Sequence, residues 1–127
     1  MQKGEFLIKK AKAFLEDAKY DIKTQKWFLA AFHLEQCCQL YLKYFIFKKL
    51  GDFPKIHSLN ELLEELKKVC PKKKKQIEKI QKEEAGVIGD LNQAYITSRY
   101  LPIEFNKFQI EKMLEFTQKL IKFLKKL

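Results

Sequence analysis

Apolar residues recur at intervals of three and four through nearly the whole chain. That spacing places them on one face of a helix and leaves little room for any fold that is not all-helical. From Glu5 to Thr24 the positions are Leu7, Ala11, Phe14, Ala18 and Ile22, a first amphipathic helix. From Trp27 to about Leu50 the pattern is apolar nearly all round, through Ala30, Ala31, Leu34, Cys37, Cys38, Tyr41, Phe45 and Ile46. A helix of that kind needs several packing partners and is expected at the centre of the molecule. Gly51 is its expected stop, because glycine takes the left-handed conformation past a helix end at little steric cost.

The remaining boundaries are set by caps and breakers. The loop Asp52-Phe-Pro-Lys-Ile-His57 leads into Ser58-Leu-Asn-Glu61, a capping-box pattern, so a third helix is expected from Leu59 to a stop before Pro71. Lys72 to Lys75 open a basic fourth segment whose thin apolar face is Ile77 and Ile80. Four lysines at a helix N-terminus oppose the macrodipole, so either that end frays or an anion sits there. Gly86 and Gly89 predict a bend or break, after which Val87, Ile88, Leu91, Ala94 and Tyr95 resume a helical stripe. An irregular loop is expected around Arg99-Tyr-Leu-Pro-Ile-Glu-Phe105, since Pro102 disfavours helix before it. Asn106-Lys-Phe-Gln109 is a second cap, with Phe105 and Ile110 as a hydrophobic staple. The last helix runs from Lys107 to near Leu127, with Phe108, Met113, Phe116, Leu120 and Leu124 expected to face inward. The whole reads as an all-α, antiparallel up-and-down four-helix bundle with an additional short helix, one domain over residues 1–127.

Composition narrows the function classes. With 46% apolar and 13% aromatic residues the chain has ample core material, and disorder is not expected. The formal charge is +10, carried by lysines interleaved with glutamates. That pattern fits a solvated surface or an attraction to RNA, nucleotides or an acidic partner. Cys37, Cys38 and Cys70 leave an odd thiol, and the vicinal pair suits no ordinary bridge, so a reducing cytoplasm is expected. The least charged stretch, Trp27 to Leu42, is too short for a bilayer and is interrupted by His33 and Glu35, so no membrane span is expected. Two distant histidines and no Cys-x-x-Cys give no metal site, and no Gly-rich phosphate loop is present, so no cofactor is expected.

Of the 26 basic residues only one, Arg99, is arginine. In a chain that otherwise uses lysine, an isolated arginine is a candidate for work that needs the planar five-donor fork. Arg99 lies in Tyr95-Ile-Thr-Ser-Arg-Tyr100. It is placed to hold a phosphate or carboxylate, with Tyr95 and Tyr100 available to stack on a base; the plainer role is an ion pair that ties the loop down. His33, on the most apolar helix, fits a hydrogen-bonded core or interface residue. His57, just before the capping Ser58, fits a loop anchor. Either is also a candidate base near neutral pH.

Three stretches together resemble the HEPN family, small helical domains found in prokaryotes beside minimal nucleotidyltransferases and in nucleotide-binding proteins of eukaryotes. They are Ala30-Ala-Phe-His-Leu-Glu-Gln-Cys-Cys-Gln-Leu-Tyr-Leu-Lys43, similar to the family's second helix, then His57-Ser-Leu-Asn-Glu-Leu-Leu63 and Tyr95-Ile-Thr-Ser-Arg-Tyr-Leu-Pro102. The resemblance implies a four-helix bundle with an added short helix, and a homodimer. Many members are metal-independent ribonucleases, often toxins, whose Arg and a His a short spacer later form a composite site across the dimer. Here the positions where that His would fall hold Glu104, Phe105 and Asn106. Gln39 stands where an acidic residue is expected, and Leu101 separates Tyr100 from Pro102. The resemblance therefore implies a non-catalytic nucleotide-binding module with Arg99, Tyr95 and Tyr100 at the site. Its implied partner is a minimal nucleotidyltransferase, in a toxin-antitoxin type pair. The alternative is a ribonuclease toxin in which His57 or His33 replaces the missing His beside Arg99.

Overall fold

A computed structural model describes residues 4–97 and 104–127. Among them are six α-helices, one turn of 3-10 helix and no strand: α1 (Glu5–Lys23), α2 (Trp27–Leu50), α3 (Leu59–Val69), the 3-10 turn Pro71–Lys73, α4 (Lys74–Glu83), α5 (Ala85–Thr97) and α6 (Lys107–Leu124). The all-α fold is the one expected, and no described helix is long and apolar enough to cross a membrane.

Contacts between chain-distant residues give the topology. Tyr44 reaches Glu5 and His33 reaches Asp21, so α1 runs antiparallel to α2. The chain doubles back after Gly51, bringing His57 to Gln39, and α3 then climbs until Val69 meets Lys49 at the rim of one hollow. The short helix α3 thus lies along α2 in the same direction. Lys67 pairs with Glu78 and Gln81 with Glu64, so α4 descends against α3, and α5 continues the descent to Tyr95 beside His57. In α6, Thr117 lies level with Cys38 and Leu127 near Lys49, which makes α6 parallel to α2. The long segments α1, α2, α4–α5 and α6 alternate in direction, and α3 is the addition.

Helix α2 is the axis, as its all-round apolar pattern requires. It buries Ala30, Ala31, Leu34, Cys37, Cys38, Tyr41, Leu42 and Ile46, and it packs on α1, α3, α5 and α6. The rest of the core comes from Leu7, Ala11 and Ala18 of α1, the Leu59/Leu62/Leu63/Leu66 stripe of α3, and Ile110, Met113, Phe116 and Leu120 of α6. Gly51 ends α2 with φ +80° and donates its amide to the Phe47 carbonyl at 2.7 Å, the expected left-handed stop. The α6 capping box is complete: Gln109 N donates to Asn106 Oδ1 at 2.8 Å, and Asn106 N donates to Gln109 Oε1 at 2.9 Å. The staple residues Phe105 and Ile110 are both buried.

Four local expectations change. Ser58 caps α3 by accepting from Glu61 N at 3.4 Å, but the reciprocal Glu61 bond is absent among the described residues. A tertiary contact serves that helix end instead, with Leu59 N donating to Asn92 Oδ1 of α5. Phe108 faces solvent at 67% exposure, because two positions separate it from Ile110, which starts the buried stripe on the other side of the helix. The lysines before α4 do not leave a frayed end: Lys72 and Lys73 form the 3-10 turn and Lys74 begins the helix. Finally, the break between α4 and α5 falls at Glu84, whose carboxylate accepts from Lys119, while Gly86 and Gly89 both lie inside α5.

A methyl group at either Gly86 or Gly89 would meet nothing within 4 Å, and neither has a positive φ. Gly89→Ala is therefore expected to stabilise the protein by about 0.5–1 kcal/mol, because alanine has less chain entropy to lose in a helix. Equilibrium denaturation checks it, and a decrease in stability would show that the backbone at Gly89 needs more freedom than a helix allows.

Candidate functional site

On the most apolar helix of the molecule, Glu35, Gln39 and Lys43 recur every fourth residue and so share one face. All three are buried. Buried charge is tolerated only when paired and hydrogen-bonded, and this ladder is connected throughout. Gln39 Nε2 donates to Glu35 Oε2 at 2.9 Å, and Lys43 Nζ donates to Gln39 Oε1 at 3.0 Å. Glu35 Oε1 also accepts from Gln36 Nε2 at 2.8 Å. Burial lowers the pKa of Lys43, and the Glu35 carboxylate partly restores it.

His57 docks onto this ladder from the loop before α3, with Nδ1 at 3.0 Å from Gln39 Oε1. The proton's position follows from the neighbours. Lysine only donates and a carboxylate only accepts, so the Gln39 amide must turn its oxygen to Lys43 and its nitrogen to Glu35. The imidazole nitrogen facing that oxygen must then donate, which places the proton on Nδ1 and leaves Nε2 of the neutral ring as an acceptor. Desolvation, reinforced by the Lys43 charge, lowers the His57 pKa from its ordinary 6.5. The ring is neutral at physiological pH.

The His57 ring stacks on Tyr95 of α5, with centroids 5.2 Å apart and planes 23° from parallel. Together with Ser58, Asn92 and Ile96 the pair lines an open hollow of about 290 Å³. That lies just below the usual range for small-molecule pockets, roughly 300–1,000 Å³. It offers an aromatic wall, hydroxyl and amide groups and a nitrogen acceptor. Residues 98–103 come next in the sequence after α5, and the candidates Arg99 and Tyr100 are among them, outside the described residues. Of the nucleotide-site candidates, Tyr95 is the one the structure describes, and it brings Tyr95 and His57 together.

His33 is placed otherwise. Its Nδ1 bonds Asp21 Oδ2 at 2.5 Å, and its ring stacks on Phe14 at 5.6 Å, so it joins the end of α1 to α2. A hydrogen-bonded residue within the packing is what was anticipated for it. Cys37, Cys38 and Cys70 are unpaired and buried. Burial pushes the Cys37 thiol up to about 12 and that of Cys38 higher than its ordinary value as well. Cys38 donates to Thr117 Oγ1, since the Thr117 hydroxyl hydrogen goes to the Met113 carbonyl. Neither thiol has the character of a nucleophile. Among the described residues no group of His, Cys, Asp and Glu side chains is arranged to hold a metal ion.

Sequence reasoning did not assign Lys43 or Glu35 to the site, and it read Gln39 only as a departure from a family pattern. A signal was present, since three polar residues spaced by four on an otherwise apolar helix imply a buried polar face.

The His57 geometry makes a pH prediction. Folding favours the neutral ring, so the associated stability is present above pH 6.5 and is lost as pH falls through the depressed native pKa. In an NMR titration the His57 resonance should shift below pH 6.5, and Lys43→Met should move that midpoint upward. A midpoint at or above the ordinary value in the unaltered protein would contradict the docking described here.

No curated protein matches the chain, and no solved structure does. The family model of the HEPN domain matches residues 5–127, from the first residue of α1 to the end of the chain. With a match over almost its entire length, the protein belongs to the HEPN domain family.

Proposed function

We propose that the protein is a non-catalytic nucleotide-binding module, a homodimer that acts with a minimal nucleotidyltransferase in a toxin-antitoxin type pair. Family membership supports a nucleotide- or RNA-related role at the coarse level. The observation that carries the finer reading is the His57–Tyr95 stack lining the hollow beside the end of α5. A base fits against the aromatic wall, and Arg99, two residues beyond the last residue of α5, supplies the cation for a phosphate. The three unpaired thiols favour a reducing compartment, the cytoplasm.

Nucleotide binding should raise the melting temperature, because a ligand at a hundred times its Kd adds about 2.7 kcal/mol to stability. The expected result is a rise with ATP or another nucleotide, lost in Arg99→Ala without a fall in the nucleotide-free melting temperature and lost also in Tyr95→Ala. Absence of a rise with every ribonucleotide would overturn the reading. A pull-down with the product of a neighbouring nucleotidyltransferase gene tests the partner.

One observation favours the ribonuclease reading as a second: His57 is neutral and has Nε2 as an acceptor, the state a general base needs. His33, engaged by Asp21 and Phe14, does not offer the same. If the protein cleaves RNA in the presence of a chelator, His57→Gln and Arg99→Ala should each abolish cleavage. Activity that survives His57→Gln would remove His57 from the role.

A further inference from the structure

The chain's positive charge is not spread evenly. Lys119 and Lys122 on the last turns of α6 and Lys126 just beyond its end follow one another at intervals of three and four, and they face the start of α4. With Lys73, Gln76 and Phe123 they line a hollow of about 270 Å³, and no carboxylate side chain lines it. Lys119 is paired with Glu84, but Lys73, Lys122 and Lys126 make no ion pair among the described residues. Lys73 also borders a second hollow of about 340 Å³, where Lys49 and Lys72 join it. The two hollows adjoin at Lys73, and together six lysines line them.

Helix electrostatics accounts for part of this cluster and not the rest. Lys122 and Lys126 stand at the C-terminal end of α6, where cations complement the dipole. Lys72 to Lys75 stand at the N-terminal end of α4, where cations oppose it, and that end is nonetheless ordered into helix. Like charges gathered there weaken the fold unless an anion neutralises them. Lysine is a point-charge donor on a flexible stem, suited to tracking repeated phosphates and not to reading a base edge. An aromatic ring among such lysines adds a surface for a base, the combination used by sites for single strands.

We propose that the groove between the start of α4 and the end of α6 binds the phosphate chain of single-stranded nucleic acid, with Lys73, Lys122 and Lys126 on the phosphates and Phe123 beneath a base. This surface shares no lining residue with the His57 hollow, and it stands or falls separately from nucleotide binding there.

The test is fluorescence anisotropy with a labelled oligouridylate of about 15 nucleotides, titrated at several salt concentrations, with inorganic polyphosphate as a parallel ligand. Lys73→Gln/Lys122→Gln/Lys126→Gln is expected to weaken RNA binding about tenfold or more and to lower the log–log salt slope by about 2, from three lost contacts on a single strand. The triple variant Lys9→Gln/Lys12→Gln/Lys23→Gln removes the same charge from exposed positions of α1 and should stay within about twofold of the parent. Phe123→Leu should weaken RNA about fivefold while leaving polyphosphate unchanged, since only a base can stack. Because Phe123 is partly in the core, photo-crosslinking of 5-iodouridine RNA to the unaltered protein is the companion measurement, with the adduct expected at Phe123. Equal losses in the two triple variants, no RNA binding at about 0.1 M salt, or neither a Phe123 effect nor its adduct would overturn the proposal. The nucleotide-induced rise in melting temperature, measured on the same variants, should persist, which separates this groove from the His57 hollow.

Discussion

Gln39→Leu is expected to lower the unfolding free energy by about 3 kcal/mol and the melting temperature by about 10 °C. The reason lies in what the amide separates. Gln39 accepts from Lys43 and from His57 through one oxygen and donates to Glu35 through its nitrogen, and Glu35, Gln39 and Lys43 are all buried. Leucine fills the space and removes all three bonds, so that a carboxylate and an ammonium group each lose a partner away from water. Removing one member of a buried charged network costs more than the network contributes by being intact, because the desolvation of the groups left behind is no longer offset. The same change detaches His57, so its NMR titration should return toward the ordinary value. A loss below about 1 kcal/mol in a denaturant melt would mean that water replaces the amide and the ladder is not sealed from solvent.

Leu34→Ala is expected to cost a similar amount, about 3 kcal/mol, for a different reason. Leu34 is fully buried on α2, the helix that packs on four others, so its side chain leaves a cavity that no single neighbour can close. Phe108→Ala, which removes a larger side chain, should change stability by less than about 0.5 kcal/mol, because the ring is 67% exposed. The pair compares burial with hydrophobicity, since phenylalanine is the larger apolar residue. If thermal or denaturant unfolding shows Phe108→Ala to be the more damaging, the assignment of the buried face of α6 is wrong.

Much of the architecture was legible from residues a few positions apart. The bounds of α2, its Gly51 stop, the Asn106–Gln109 box and the halt of α3 before Pro71 follow from sterics and hydrogen bonds that act within one helical turn. The break near residue 84 was displaced by two residues because glycine only permits a bend. Glu84, with its carboxylate held by Lys119 across the bundle, is where the bend occurs. Phe108 misled for a related reason: a stripe spaced by threes and fours has edges, and only the neighbouring helices decide which edge residue is covered.

The candidate site divides along the same line. That His57 precedes a cap and that Tyr95 belongs to a family-like stretch could be read from the chain. Their stacking could not, because 38 positions separate them and the contact requires both the return of the loop after Gly51 and the descent of α4–α5. The sequence by itself determined the class of fold, the helices and most of their ends, since periodicity and capping depend on near neighbours along the chain. Only the tertiary structure decided that Gln39 would hold His57, that Asp21 would engage His33, and that Lys73, just before α4, would share one hollow with Lys119 and Lys122 of α6. Those contacts are set by which helix lies beside which and in what direction, a property of the packed whole.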